Sequence, residues 1–405
     1  MLKTGRYKDR SAFAFMIGLV IGFSAIFIAA NALAMRVKEP FGRFNRLAGS
    51  DSHAPIVIDG ESALAAFPDK TGAGTSSDPY LIKDLVIDAS LNAAGISISN
   101  TTSYLVIRNC STKYAMFNGI YTGNCQHLEI TNCTLVLSQN GITLTGSGNR
   151  DIAITGCIIA NNTSQGISLV SGSSSAIVMD VVISGNTIET NGWLGIYIFG
   201  SGTLVERNTI KGHPDAGFQV MGNMITASQN NISMNGKGIE WYGSYASLVG
   251  NQIVNNSGHG LAFNHFSYQD ATGNTISHNN GSGVFLNDVY GATFIGNNVS
   301  GNLGWGFQVN DSGYCSFVEN DLRNNGNGSV SEESFSLGNI YRANLCDPGD
   351  QCNNQFPENR LPPLYTTIGI LTIVPPVIAG VIYKGAKLGK RGKPANSTPA
   401  TPKGG

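Results

Sequence analysis

"GNTISHNNGSGVFLNDVYGATFIGNNVSGNLGWGFQVNDSG", residues 273–313, says nearly the same thing twice. GNTI returns as GNNV and SGVFLND as WGFQVND, each about 23 residues later. A repeat of that length marks a stacked architecture, because one unit cannot bury its own inward face and needs a similar unit above and below. The phrase runs through most of the chain. A glycine followed by an apolar residue recurs from Gly95-Ile96 through Gly195-Ile196 and Gly238-Ile239 to Gly306-Phe307, at intervals of about 21–25 residues with one longer step before Gly195. A second landmark is the asparagine of an Asn-x-Ile phrase: Asn186, Asn208, Asn230, Asn251, Asn274, Asn297 and Asn320. Cys110, Cys133 and Cys157 hold that place in earlier copies.

Between landmarks the apolar residues alternate, as in Val284-Phe285-Leu286. A period of two means strand. Each copy holds about three short strands separated by Asn/Gly-rich turns, whose residues tolerate positive φ. No 3.6-residue apolar segment and no leucine lattice runs through the repeat, which excludes helical and leucine-rich solenoids. The expected fold is all-β: a right-handed parallel β-helix of about ten coils, with equivalent residues stacked about 4.8 Å apart. The asparagine column is expected to form an amide ladder inside a turn. Cysteine is a small buriable substitute there, and metal binding by the three cysteines is the alternative.

These residues resemble the right-handed parallel β-helix proteins of the NosD-like group, within the pectate-lyase-like superfamily. The segment "SHAPIVIDGESALAAF…GAGTSSDPYLIKDLVID", residues 52–88, is similar to the usual start of such domains: a strand, a short capping helix, then the first coil. The resemblance spans about residues 55–341. It implies the fold. For activity it implies only a range: polysaccharide lyases, hydrolases and epimerases, carbohydrate binders, adhesins and a copper-handling maturation factor.

Of 405 residues, 41% are hydrophobic and 13% charged, with 51 glycines and a net charge of −1. That suits a coil repeat with uncharged turns and gives nucleic acid no electrostatic footprint. Residues 11–35 contain an apolar run long enough to cross a bilayer and end in an A-x-A pattern, so they read as a signal peptide or a signal anchor. Residues 364–383 are a second span, with Pro375-Pro376 inside it and Lys384, Lys387, Lys390, Arg391 and Lys393 after it. The positive-inside rule puts that tail in the cytoplasm and the β-helix outside, on the cell surface. The expected order is a cytoplasmic N-terminus (1–10), the first apolar segment (11–35), a linker (36–54) and a cap (55–81). Then come the β-helix (82–342), a C-terminal cap and linker (343–363), the second span (364–383) and the basic tail (384–405). Eleven N-x-S/T sequons fall in the repeat region, as an external glycoprotein would allow. Cys346 and Cys352, in "CDPGDQC", are spaced to close a short disulfide loop in an oxidising exterior.

In the strand after each landmark glycine, the first and third residues are apolar and expected to point in. The outward second position then reads Tyr197, Gln219, Glu240, Ala262, Phe285 and Gln308; the fourth reads Phe199, Met221, Tyr242, Asn264, Asn287 and Asn310. The next reads Gly200, Gly222, Gly243, His265, Asp288 and Asp311. Earlier coils hold Ser97, Tyr121, Thr143 and Ser168 in these columns, with small neighbours. Aromatics flanked by amides and carboxylates suit sugars, whose C–H faces stack on rings while hydroxyls find partners. The expected ligand is a polysaccharide or glycan lying along Tyr197, Phe199, Gln219, Glu240, Tyr242, Asn264, His265, Phe285, Asn287, Asp288, Gln308, Asn310 and Asp311, walled by Trp193 and Trp305 in the preceding turns.

A carbohydrate-active enzyme is the alternative, with Glu240, His265, Asp288 and Asp311 as candidate catalytic residues. Asp288 and Asp311, one coil apart, are near the carboxylate spacing of retaining glycosidases, or could hold calcium. Lys237 is expected in a turn, outside the columns. The stretch "KGHPDAG", residues 211–217, places His213 and Asp215 together, loosely similar to turn motifs of epimerases. A structural or adhesive surface protein is the third reading.

Overall fold

The computed structural model describes residues 52–171, 177–333 and 336–353, which wind as a right-handed parallel β-helix. The coils contribute short strands to three parallel sheets of twelve, twelve and nine strands. The first sheet runs from Ile56–Asp59 to Gly328–Glu332, the second from Tyr80–Lys83 to Ile340–Arg342, and the third from Val86–Asp88 to Thr275–Ser277. Beyond Ser277 the third sheet thins to single parallel bridges, Thr275↔Asn298, Asn298↔Asp321 and Asp321↔Leu345. Both apolar runs, residues 11–35 and 364–383, lie outside the described residues. Among the described residues no helix is long and apolar enough to cross a membrane.

Alternation becomes a stack of like side chains. Ile239, Leu261, Val284 and Phe307 pair in register along the first sheet, all fully buried. Each fully buried aliphatic or aromatic side chain contributes about 1.5–3 kcal/mol of transfer free energy. Toward the C-terminus rings fill the interior: Phe294 stacks on Phe317 at 5.3 Å and Phe317 on Tyr341 at 4.6 Å between centroids.

The asparagine ladder forms as expected. Asn274 donates its backbone N–H and side-chain N–H to Asn297 Oδ1, both at 2.9 Å, and accepts the same pair from Asn251. The column continues from Asn186 to Asn344. The cysteines belong to it: Cys133 N donates to Cys157 Sγ at 3.4 Å, and Cys157 N donates to Asn186 Oδ1. A second ladder, not anticipated, lies five residues on: Asn191, Asn235, Asn256, Asn279, Asn302 and Asn325. It also explains the landmark glycines. A Cβ at Gly260 would lie 2.7 Å from Asn279 Nδ2, and one at Gly283 would lie 2.7 Å from Asn302 Nδ2.

Both ends are covered. The helix Glu61–Ala66 lays Leu64 over the first coil, and its Glu61 carboxylate accepts hydrogen bonds from the Thr102 and Ser103 hydroxyls. At the other end Cys346 and Cys352 are disulfide-bonded. Their loop caps what stacking leaves open: Asn353 Oδ1 accepts Asn344 N–H, ending the ladder, Asp347 accepts Asn324 N–H, and Asp350 accepts Ser329 N–H.

Candidate functional site

The outward face of the first sheet carries the expected columns. Tyr197, Gln219, Glu240, Ala262, Phe285 and Gln308 are register partners in successive coils. Phe199, Met221 and Tyr242 form the next row, and Asn264, Asn287 and Asn310 continue it one stretch later. Trp305 opens the strand Trp305–Asn310 rather than sitting in the turn before it.

Burial divides these residues. Gln219 and Glu240 lie on the outer face yet are only 8% and 7% exposed. The reason is Lys237, which begins the strand Lys237–Tyr242 and folds over the column instead of standing apart in a turn. Its Nζ donates to Glu240 Oε1 at 2.6 Å and lies 3.7 Å from Asp215 Oδ1. Gln219 Nε2 donates to Glu240 Oε2 at 2.8 Å, and Trp193 Nε1 donates to Asp215 Oδ2 at 3.1 Å. One chain of hydrogen bonds and ion pairs thus crosses three coils: Trp193, Asp215, Lys237, Glu240, Gln219. Burial works against the Lys237 charge, but Glu240 and Asp215 outweigh it and raise its pKa. Burial, then the Glu240 charge, pushes the Tyr242 phenol up to about 12, and burial also raises Tyr197. Both are hydrogen-bonding phenols at neutral pH.

One site residue escaped the sequence reading. His259 stacks on Phe285 with centroids 4.8 Å apart and ring planes 10° apart. It lies in the electrostatic reach of Lys237 and Glu240, and burial depresses its pKa. Its Nδ1 accepts the Ser282 backbone N–H at 3.0 Å, so the neutral ring carries its proton on Nε2. It is a donor and a stacking surface, with no free lone pair to act as a base.

His265, Asp288 and Asp311 adopt left-handed backbone, φ 52°, 58° and 45°. That lets two consecutive residues, Asn287 and Asp288, face outward before Val289 returns to the core. His265 Nδ1 meets Asp288 Oδ2 at 3.1 Å, with side chains 60% and 51% exposed. This dyad has a free Nε2 but no exclusion of water, so it lacks the low-dielectric setting that makes such pairs strong catalysts. Among the described residues no three His, Cys, Asp or Glu side chains converge to hold an ion, so calcium at Asp288 and Asp311 has no third ligand of that kind. His213 faces inward. It replaces an asparagine of the second ladder: Nδ1 accepts Asn191 N–H at 3.2 Å and Nε2 faces Ile188 O at 3.2 Å. Burial depresses its pKa to about 4. Its sequence neighbour Asp215 faces out, so the two share no site.

Two family models match: the right handed beta helix region over residues 72–232, and the periplasmic copper-binding protein (NosD) family over residues 204–345. No curated protein matches the chain. The A-module of mannuronan C-5 epimerase AlgE6 from Azotobacter vinelandii is similar at 12% identity over 65% of this chain and 86% of its own, with a TM-score of 0.45. The catalytic unit of a GH87 α-1,3-glucanase from Streptomyces thermodiastaticus is similar at 13% identity over 65% of this chain and 61% of its own, TM-score 0.44. Tailspike protein 2 of Escherichia coli O157:H7 bacteriophage CAB120 is similar at 12% over 63% and 38%, TM-score 0.41. At these scores no chemistry transfers. For copper, named by the second family, no three His, Cys, Asp or Glu side chains converge among the described residues. The five unpaired cysteines are buried. The contact with Cys133 and burial raise the Cys110 thiol, burial pushes Cys315 up to about 11, and both His213 nitrogens are engaged.

Proposed function

We propose that this right-handed β-helix repeat protein binds a polysaccharide or glycan along the outward face of its C-terminal coils. The observation that carries the reading is the fixed polar chain Asp215–Lys237–Glu240–Gln219, set between half-buried Tyr197 and Tyr242 on one side and the His259–Phe285 stack on the other. Rings of this kind accept the C–H face of a sugar, and polar groups already held by one another lose little freedom when hydroxyls join them. Turnover is not favoured at Glu240, because two donors already occupy its oxygens, nor at His259, whose basic nitrogen is used. The same reading holds the β-helix outside the cell, anchored by residues 364–383 with the basic tail in the cytoplasm. The Cys346–Cys352 disulfide suits an oxidising exterior.

The test is retention of full-length, detergent-solubilised protein on a panel of immobilised polysaccharides, with products read by mass spectrometry. Phe285→Ala and Tyr197→Ala should each weaken retention about tenfold, the loss of roughly 1.4 kcal/mol of stacking. Retention on no polysaccharide, or unchanged retention by both variants, would overturn the proposal. New oligosaccharides that vanish in Glu240→Gln would move it to an enzyme.

A further inference from the structure

Asn264, Asn287 and Asn310 are register partners in three successive coils, half-buried on the outward face and about 4.8 Å apart. Inside the solenoid a row of this kind closes on itself: Asn251, Asn274 and Asn297 each donate a side-chain N–H to the next member at 2.9 Å. The outer row does not close. Among the described residues none of its three side-chain amides has a hydrogen-bond partner. In Asn310 the Oδ1 is enclosed with no donor, which leaves Nδ2 as the end that faces out. An enclosed acceptor without a donor costs stability. The fold itself does not require amides here, since earlier coils fill this row with Phe199, Met221 and Tyr242.

A ladder left open on its outer side accepts a partner with the same step. An extended sugar chain advances by close to one coil per residue, so a chain lying along the solenoid axis meets one amide per sugar. Neighbouring charge sets the class of chain. Asp288 and Asp311 follow Asn287 and Asn310 and are exposed. Asp288 meets His265, and Asp311 has no ion-pair partner among the described residues. Lys237, at the start of its strand, is engaged by Glu240 and Asp215 and balances neither. The carboxylates of a polyuronate would be held against these charges, whereas hydroxyl and acetamido groups would not.

We propose that Asn264, Asn287 and Asn310 bind a neutral hexose or N-acetylhexosamine chain laid parallel to the solenoid axis, one amide to each sugar, and that Asp288 and Asp311 exclude acidic glycans. This gives the glycan face a ligand class and a direction, and it rests on the glycan reading above.

Full-length, detergent-solubilised protein would be titrated calorimetrically with cello-oligosaccharides and N-acetylchito-oligosaccharides of increasing length, and with mannuronate oligosaccharides of the same lengths. The wild type should bind one neutral series with an affinity that climbs as sugars are added, and the mannuronates at least about tenfold more weakly. Asn264→Ala/Asn287→Ala/Asn310→Ala should lower affinity for the longest neutral oligomer about tenfold and flatten the climb, with a melting curve within a few degrees of wild type. Should that triple variant unfold, Asn287→Ala alone should lower the same affinity about threefold. Equal binding of mannuronates overturns the ligand class. An unchanged climb in the asparagine variants overturns the amide row, and the glycan face then stands or falls with Phe285→Ala. Retention of the wild type on the polysaccharide panel without binding of either neutral series overturns this inference alone. Retention on no polysaccharide overturns the glycan face as well.

Discussion

Asn274→Ala isolates the ladder. Asn274 takes part in six hydrogen bonds along the column. It donates to Asn297 Oδ1 from backbone and side chain, and its Nδ2 also reaches Leu248 O at 3.0 Å and Thr272 O at 3.3 Å. Its Oδ1 accepts Asn251 N and Asn251 Nδ2, each at 2.9 Å. Alanine keeps the backbone donor to Asn297 and deletes the rest. Two buried donors of Asn251 and the Leu248 carbonyl lose this partner, while Asn297 Oδ1 keeps one donor of two. At about 1–3 kcal/mol for each buried group left unsatisfied, the two orphaned donors predict a loss of about 2–6 kcal/mol. The chain supplies its own control. Cysteine fills this column at Cys157, where Sγ approaches Ile130 O at 3.7 Å and receives Cys133 N–H. Asn274→Cys should therefore cost clearly less than alanine. Gln252→Ala, exposed on the same coil, should fall within about 0.5 kcal/mol of wild type. Urea unfolding followed by far-UV circular dichroism orders the three. Alanine and cysteine costing the same, or alanine costing under about 1 kcal/mol, would refute the ladder as a source of stability.

Other perturbations follow from single residues. His213 is neutral in the fold, with a pKa near 4 against 6.5 unperturbed, so the unfolded chain binds more protons between those values. Stability should fall as pH drops from about 6.5 to about 4, by about 3 kcal/mol in all, and His213→Asn should flatten that limb in urea titrations at successive pH values. Reducing Cys346–Cys352, which closes a short loop, should cost about 2 kcal/mol. Its effect should concentrate in the last coil, seen by hydrogen exchange as lost protection around Asn344 and Ser329, while Asn251 stays protected. A Cβ at Gly222 would collide with the Gly200 carbonyl oxygen, whereas one at Gly250 meets only Gln229 Cγ at 3.9 Å. Gly222→Ala should cost about 3 kcal/mol and Gly250→Ala about 1, the latter from left-handed strain, compared by thermal melts.

What was legible in the sequence was what every coil must solve alike. The inward residues, the glycine landmarks and the Asn/Cys column face copies of themselves, so a period of about 23 reveals them. The second ladder was equally written, at Asn191, Asn235 and Asn256, but its His213 looked like chemistry. An imidazole copies an amide when one nitrogen accepts and the other donates, and one residue type cannot declare which use it serves. The outer site was half legible. Strand alternation gave the columns of Glu240 and Phe285. The contacts that tie the candidate site together run sideways, from Lys237 at a strand start and His259 in the turn before one onto the columns. No period reports contacts between two different columns.

The same asymmetry bears on function. An inward change in one coil is felt by the coils above and below, so the interior holds its pattern. An outward residue touches few neighbours, and its column varies from Ser97, Tyr121 and Thr143 in early coils to Glu240 and Phe285 later. A shared solenoid is therefore compatible with unrelated outer faces. What singles out these coils is that both sides change together. Where the outer face gains Tyr242, His259 and Phe285, the interior gains Phe218, Trp241 and Phe263, all fully buried, with Phe218–Trp241 and Trp241–Phe263 centroids 6.0 and 6.2 Å apart. Large rings locked behind a strand hold its outward side chains in place, as a binding surface requires. Trp241→Leu, which keeps the strand apolar but removes that backing, should lower stability by about 1–3 kcal/mol and weaken glycan retention although Trp241 touches no ligand. Lost stability with retention unchanged in the folded fraction would mean the interior rings serve the fold alone.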